Sequence, residues 1–167
     1  TTGGKRIETL IVPEPGYRSA EVALKLAEIG EVHGQYVRAL KSLTPEQFAW
    51  QPAPGRNTIG MLVTHVALGC VHLGQVGLRG ERDGHVADVL GIRVEDDAMP
   101  LPADGPPPEV LAGRTFAFYE DLLAKALAHT RSACAALDDG KLAEEIVRPP
   151  RPDGSYRVFD RRWVLHH

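Results

Sequence analysis

Cysteine is scarce in this sequence. Cys70 and Cys134 are its only two, and no Cys-x-x-Cys pair occurs. That excludes a disulfide scaffold and the common redox and zinc-ribbon motifs. Both lie in apolar, helix-patterned stretches, so two buried free thiols in a reducing, cytoplasmic setting are expected. An excess of one charge is also lacking: 19 Lys and Arg stand against 22 Asp and Glu. A nucleic-acid binder shows a basic stripe. The nearest approach is Arg148, Arg151, Arg157, Arg161 and Arg162, read as solvated arginines around a turn, and no nucleic-acid partner is expected. No stretch reads as long and apolar enough to span a membrane, and no signal peptide opens the chain. Internal repeats and low-complexity segments are absent. So are Gly-x-Ser-x-Gly, a phosphate-binding glycine loop, His-Glu-x-x-His and the di-iron Glu-x-x-His pair.

What remains is a chain of 167 residues, 43% hydrophobic and 25% charged, enough for one domain with a core of its own. Residues 1–17, with Pro13, Pro15 and Gly16, read as an extended lead-in. Ser19 is the expected N-cap of a helix over 20–43, whose stripe runs Val22, Leu26, Ile29, Val32, Tyr36, Val37, Leu40 and Leu43. Thr44-Pro45-Glu46-Gln47 has the form of a capping box with proline at the first helical position, and predicts a short helical turn ending near Trp50. A second long helix is expected over 58–78, with Ile59, Leu62, Val66, Leu73 and Val76 as its apolar positions. It carries Gly60, Gly69, Gly74 and Gly77, each costing about 1 kcal/mol relative to alanine. Close approach of a neighbouring helix is the commonest compensation, and Gly80 is a natural stop. A proline-rich crossover follows over 81–108, with one helical turn at Val86–Leu90. A third helix is expected over 109–137, ended by Asp138-Asp139-Gly140. A hairpin-like loop then spans 146–158, and Asp160 caps a last helix over 161–167. The expectation is all-α: a four-helix bundle in a single domain, its last helix truncated, with the chain continuing past His167.

The histidines are His33, His65, His72, His85, His129, His166 and His167. Bundles build metal sites from inward-facing side chains on facing helices. His65 follows Leu62 by three residues and shares its apolar face; His72, two turns on, lies on nearly the same face. Spacing leaves two readings for each: a core histidine satisfied by one partner, which is the commoner, or a metal ligand. His166 and His167 point about 100 degrees apart on a helix, so at most one can face the core with His65. His33, His85 and His129 read as surface or packing residues. Glu120, Asp121, Glu144 and Glu145 read as solvated surface charges.

The segment Leu43-Thr44-Pro45-Glu46-Gln47-Phe48-Ala49-Trp50, followed by Asn57-Thr58-Ile59-Gly60-Met61-Leu62-Val63-Thr64-His65-Val66-Ala67, resembles the DinB-like (damage-inducible) superfamily. Phe159-Asp160-Arg161-Arg162-Trp163-Val164-Leu165-His166-His167 resembles the start of that family's last helix. The resemblance runs from roughly Ile29 onward. It implies an up-down-down-up four-helix bundle that forms homodimers. It implies a divalent metal, zinc or nickel, held by three histidines: one on the second helix, matched by His65, and two from a His-x-x-x-His stretch on the fourth. It also implies thiol S-transferase or isomerase chemistry on a small-molecule thiol or electrophile, the metal activating a thiolate. Two departures stand out. A commonly acidic family position is Cys70 here. The His-x-x-x-His pair falls just past His167, so within 1–167 His65 would need His166 or His167 as partner ligands. No catalytic residue can be named from the sequence. The competing expectations are a non-catalytic stress-associated bundle and a dimeric binding module pairing through the glycine-bearing face of the second helix.

Overall fold

The computed structural model describes residues 10–167; the first nine residues of the expected lead-in lie outside that range. From Leu10 the chain leads to Ser19, fastened by Arg131, whose Nε donates to Glu14 Oε2 at 3.0 Å. Ser19 caps α1 (Ala20–Leu40), its Oγ accepting from the Val22 N–H at 3.3 Å. The helix stops three residues before the end of its apolar stripe, because the Leu43 N–H turns back to the Leu40 carbonyl and hands the chain to Thr44. Thr44 and Gln47 form the expected reciprocal cap on α2 (Pro45–Ala49).

Thr58 caps α3 (Ile59–Leu73) through the Met61 N–H at 3.1 Å. A π-helical turn over Gly74–Leu78 continues it, and Gly80, at φ 73°, ends the run. Residues 59–78 thus form a continuous helical run that is apolar and long enough to cross a membrane, which corrects the expectation that no such stretch exists. Somewhat more than half of it is buried against the rest of the chain, the condition of a core helix. Three of its four glycines meet close neighbours. A Cβ on Gly60 would strike the Tyr119 hydroxyl, one on Gly74 would sit 2.9 Å from His129 Cδ2, and one on Gly77 would sit 2.7 Å from Val164 Cγ2. Those close approaches are made within the chain, so the glycine-bearing face carries no argument for a dimer. Gly69 alone of the four has open space.

The crossover holds α4 (Val86–Leu90) where a helical turn is expected, then a 3₁₀ turn over Val94–Asp97 that the sequence pattern does not announce. The third long helix, α5 (Phe116–Cys134), begins seven residues later than expected. Residues Glu109–Leu111 make only a 3₁₀ turn, because Gly113, at φ 65°, breaks the run before Thr115 restarts it. The helix also ends before Leu137, and Asp138 caps a short α6 (Asp139–Leu142) rather than closing α5. Strands β1 (Glu145–Val147) and β2 (Val158–Asp160) pair antiparallel, Glu145 opposite Asp160. Asp160 then caps α7 (Arg161–His166), its Oδ1 accepting from the Trp163 N–H at 2.7 Å.

The described residues are therefore mostly helical, with one two-stranded hairpin. The most extensive packing is α3 on α5, and α1 also packs on α5. Val22, Leu26, Cys134, Leu142, Val164 and Leu165 gather the two chain ends into one core cluster. Ala67, Leu68, Val71, Leu90 and Leu122 make a second beneath α4, and Phe48, Val63, Tyr119 and Leu123 a third. Three of the five hairpin-region arginines are clamps rather than solvated charges. Arg161 Nε donates to the Leu78 carbonyl at 2.8 Å, Arg148 Nη1 to the Glu81 carbonyl at 3.3 Å, and Arg162 Nε to Glu21 at 2.8 Å. Two of them answer carbonyls at and just beyond the end of the α3 run, where a helix leaves its acceptors unpaired and favours positive charge.

A candidate site in the groove beside the third helix

Helices α1 and α3 both lie on α5, and between them a groove of about 550 Å³ stays open. Its apolar lining comes from Ile29 and Val32 on α1, Val66 and Leu73 on α3, and Leu123 and Leu127 on α5. The C-terminal end of α7 lines it as well. The sequence pattern places Leu62, His65 and Val66 on one apolar stripe; the structure sets His65 and Val66 on this groove and leaves the stripe, Leu62 included, outside the packed core. Leu62 is 48% exposed and Val66 38%.

His65 lines the groove, as do His166 and His167. The three residues singled out as metal ligands, from segments about a hundred positions apart, thus share one surface. They do not converge. His167 lies flat on Trp163, ring centroids 4.6 Å apart, and both C-terminal histidines are exposed. Among the described residues no three His, Cys, Asp or Glu side chains stand close enough to hold a metal ion. A catalytic zinc takes roughly three protein ligands. The set of three that the resemblance implies is not assembled by the described residues.

Asp97 holds the His65 ring. Its Oδ2 lies 2.7 Å from His65 Nδ1, and its Oδ1 accepts from the Met99 N–H at 2.9 Å. The carboxylate is nearly buried, with 8% of its side chain exposed, whereas the His65 ring is 58% exposed. The 3₁₀ turn that delivers Asp97 is itself held by Arg93, whose N–H donates to Asp96 Oδ2 at 2.8 Å and whose guanidinium grips the other oxygen. Ala98, directly after Asp97, adopts a left-handed φ of 52°. A non-glycine residue there costs of order 1–2 kcal/mol and persists where its surroundings over-determine it. Sequence reasoning missed Asp97, because no periodicity links a carboxylate in a proline-rich crossover to a helix face 32 residues earlier. The one signal available was the acidic triplet Glu95-Asp96-Asp97 in an otherwise proline-punctuated segment.

Two further residues line the groove, and one of them differs from expectation. Cys70 is exposed to the groove rather than buried, since it lies on the α3 face that no helix covers. The apolar mass around it nonetheless pushes its thiol above the ordinary range. His33, expected as a surface or packing residue, lines the groove wall half-buried, and its buried Nε2 has no hydrogen-bond partner among the described residues. Away from the groove, His72 is half-buried, its Nδ1 2.6 Å from where a Cβ on Gly84 would lie, and it joins no common site with His65.

Burial, chiefly, lowers the pKa of His33, His72 and His129, and a nearby arginine adds to it in each case: Arg131, Arg148 and Arg79 respectively. Each stays neutral in the fold at a pH where the unfolded chain has already taken up its proton. Stability is therefore untouched well above the ordinary histidine range, falls as pH drops through it, and levels off once the folded histidines also titrate. A urea midpoint measured from neutral to mildly acidic pH should fall, and His129→Gln should flatten part of the fall. A midpoint that holds steady or rises over that interval contradicts the neutral buried state.

A family model described as the DinB superfamily matches residues 28–167. No curated protein matches the chain.

Proposed function

The chain belongs to the DinB superfamily, and from that premise we propose that it is a divalent-metal-dependent enzyme working in the groove beside α3, of the thiol S-transferase type. Its substrates on this reading are a small-molecule thiol and an electrophile, and its cation is zinc or nickel. The observation that carries it is the placing of His65, His166 and His167 on one apolar groove, with His65 already held through Nδ1 by a buried carboxylate. Imidazole donors suit zinc and nickel. The apolar lining suits a substrate that hides most of its surface, with a few polar groups fixing its orientation. The reading also includes the up-down-down-up four-helix arrangement, a homodimer and a cytoplasmic setting, where the free thiols Cys70 and Cys134 stay reduced.

A second reading, a non-catalytic stress-associated bundle or binding module, is favoured by the absence of three convergent ligands among the described residues. One measurement separates the two. The purified chain is loaded with zinc or nickel, freed of excess by gel filtration and assayed for metal beside His65→Ala. The enzyme reading expects bound metal in the wild type and its loss in the variant, with little change in unfolding midpoint. Equal metal content in both overturns it. Sedimentation of the same samples reports on the dimer, and monomer alone at high concentration removes that part.

A further inference from the structure

Gly69 stands in the middle of the face that α3 turns to the groove. Val66, Cys70 and Leu73 surround it on that face, and all of them line the groove. Gly69 alone among these adds no side chain, and nothing lies within 4 Å of where its Cβ would be. Glycine inside a helix weakens it. Gly60, Gly74 and Gly77 each meet a neighbour that requires the small residue, but no packed group of the chain requires it at Gly69. Its effect is a recess in the groove wall. Charge in the lining is compensated. Histidines aside, Lys25 and Glu28 are the only acidic or basic side chains among the described lining residues, and they pair with each other at 2.7 Å. Burial, helped by Arg131, lowers the pKa of His33, so that ring adds no cation at neutral pH. Its buried, unpartnered Nε2 leaves a hydrogen-bonding position in a largely apolar wall. A charged guest would give up its hydration here without gaining a free counter-charge, whereas an uncharged one meets matching surface. The groove's volume of about 550 Å³ lies in the range of pockets that hold small molecules. A recess walled by three helices suits such a body rather than the face of a second copy.

We infer that the groove binds an uncharged, largely apolar small molecule with few hydrogen-bonding groups, and that Gly69 is the specificity-determining residue that makes room for it. This names the class of electrophile for the site proposed above and rests on that reading for its purpose, while the binding itself calls for no metal.

The experiment uses the purified full chain, stripped of metal by a chelator, and the neutral dye Nile red. Dye fluorescence should brighten, shift to the blue and saturate at one dye per chain. Decanol should displace the dye, whereas decanoate and decylamine, of the same length but charged, should bind about tenfold more weakly or worse. Gly69→Phe puts a ring into the recess and should weaken the dye by about tenfold or more. Its unfolding midpoint should hold, because the new Cβ meets open space. If that variant does not fold, Cys70 carries the test in the wild-type chain. Cys134 is 0% exposed, so alkylation by N-ethylmaleimide in alkaline buffer reads Cys70, and decanol should slow it severalfold. A chain that binds no dye overturns the inference. So do equal affinities for the three decyl compounds, unchanged dye binding in folded Gly69→Phe, or a Cys70 labelling rate indifferent to decanol. Sedimentation that shows a wild-type dimer and a Gly69→Phe monomer assigns the groove to a second copy and overturns it as well. A wild type that binds dye but no zinc sinks the metal reading and leaves this one standing.

Discussion

Phe48→Ala is expected to lower the unfolding free energy by about 3–5 kcal/mol, the range for emptying a fully buried phenylalanine site. Phe48 is 0% exposed although it sits on a helix of five residues. Its ring stacks on Tyr119 at a centroid distance of 4.4 Å, and Leu40, Val63 and Leu123 share its cluster. Aromatic pairs of this kind add about 0.5–1.5 kcal/mol beyond area burial. Tyr119 has little means of closing the gap. It is 1% exposed, its hydroxyl abuts Gly60, and burial pushes its pKa up to about 12. The truncation would therefore leave a cavity where α1, α2, α3 and α5 meet. Because α3 also carries His65, loosening its first turns should reduce any metal binding as well. Urea unfolding with an unchanged slope is the measurement. A loss below about 1.5 kcal/mol would mean that the cavity collapses or that Phe48 is not at the junction.

Local chemistry explains which parts of the fold were legible beforehand. Ser19, Thr44 and Asp160 each act as the N-cap that their side chains and the following apolar residues predict, and Thr58, expected as the first residue of its helix, is the N-cap of α3. Capping is settled within four residues, so one sequence suffices to see it. The start of α5 was not legible, because Val110 and Leu111 continue its apolar pattern while Gly113 silently breaks the backbone. The same division runs through the candidate site. His65 stands out by its place on an apolar stripe, and His166 and His167 by the helix that Asp160 begins. The stripe alone gives no sign whether it faces a core or an open groove, since both bury or border apolar surface with a 3.6-residue period. Asp97 and His33 reach the site through tertiary contact only. Their positions follow from how a crossover and another helix pack against α3, and neither is encoded by spacing along the chain.

Gly69→Ala should stabilise the protein and Gly60→Ala should not, although the two residues share one helix and the same intrinsic propensity. In the absence of tertiary contacts each change should stabilise by about 1 kcal/mol, the helical advantage of alanine over glycine. At Gly69 nothing lies within 4 Å of the added Cβ, so that gain should be kept. At Gly60 the Cβ would meet the Tyr119 hydroxyl, with the ring's Cζ at 3.0 Å and the Phe48 carbonyl at 3.2 Å. The ring cannot swing aside, being stacked on Phe48 and packed edge-on against Phe118. Overpacking of that kind costs about 1–3 kcal/mol, enough to cancel or reverse the propensity gain. The difference between the two variants, about 1–3 kcal/mol in urea unfolding, measures the close approach of α3 to α5 with the helix's own preference subtracted. Equal stabilisation by both would mean that α3 does not touch α5 at Gly60. A destabilised Gly69→Ala would mean that this part of the groove is already filled in the folded protein.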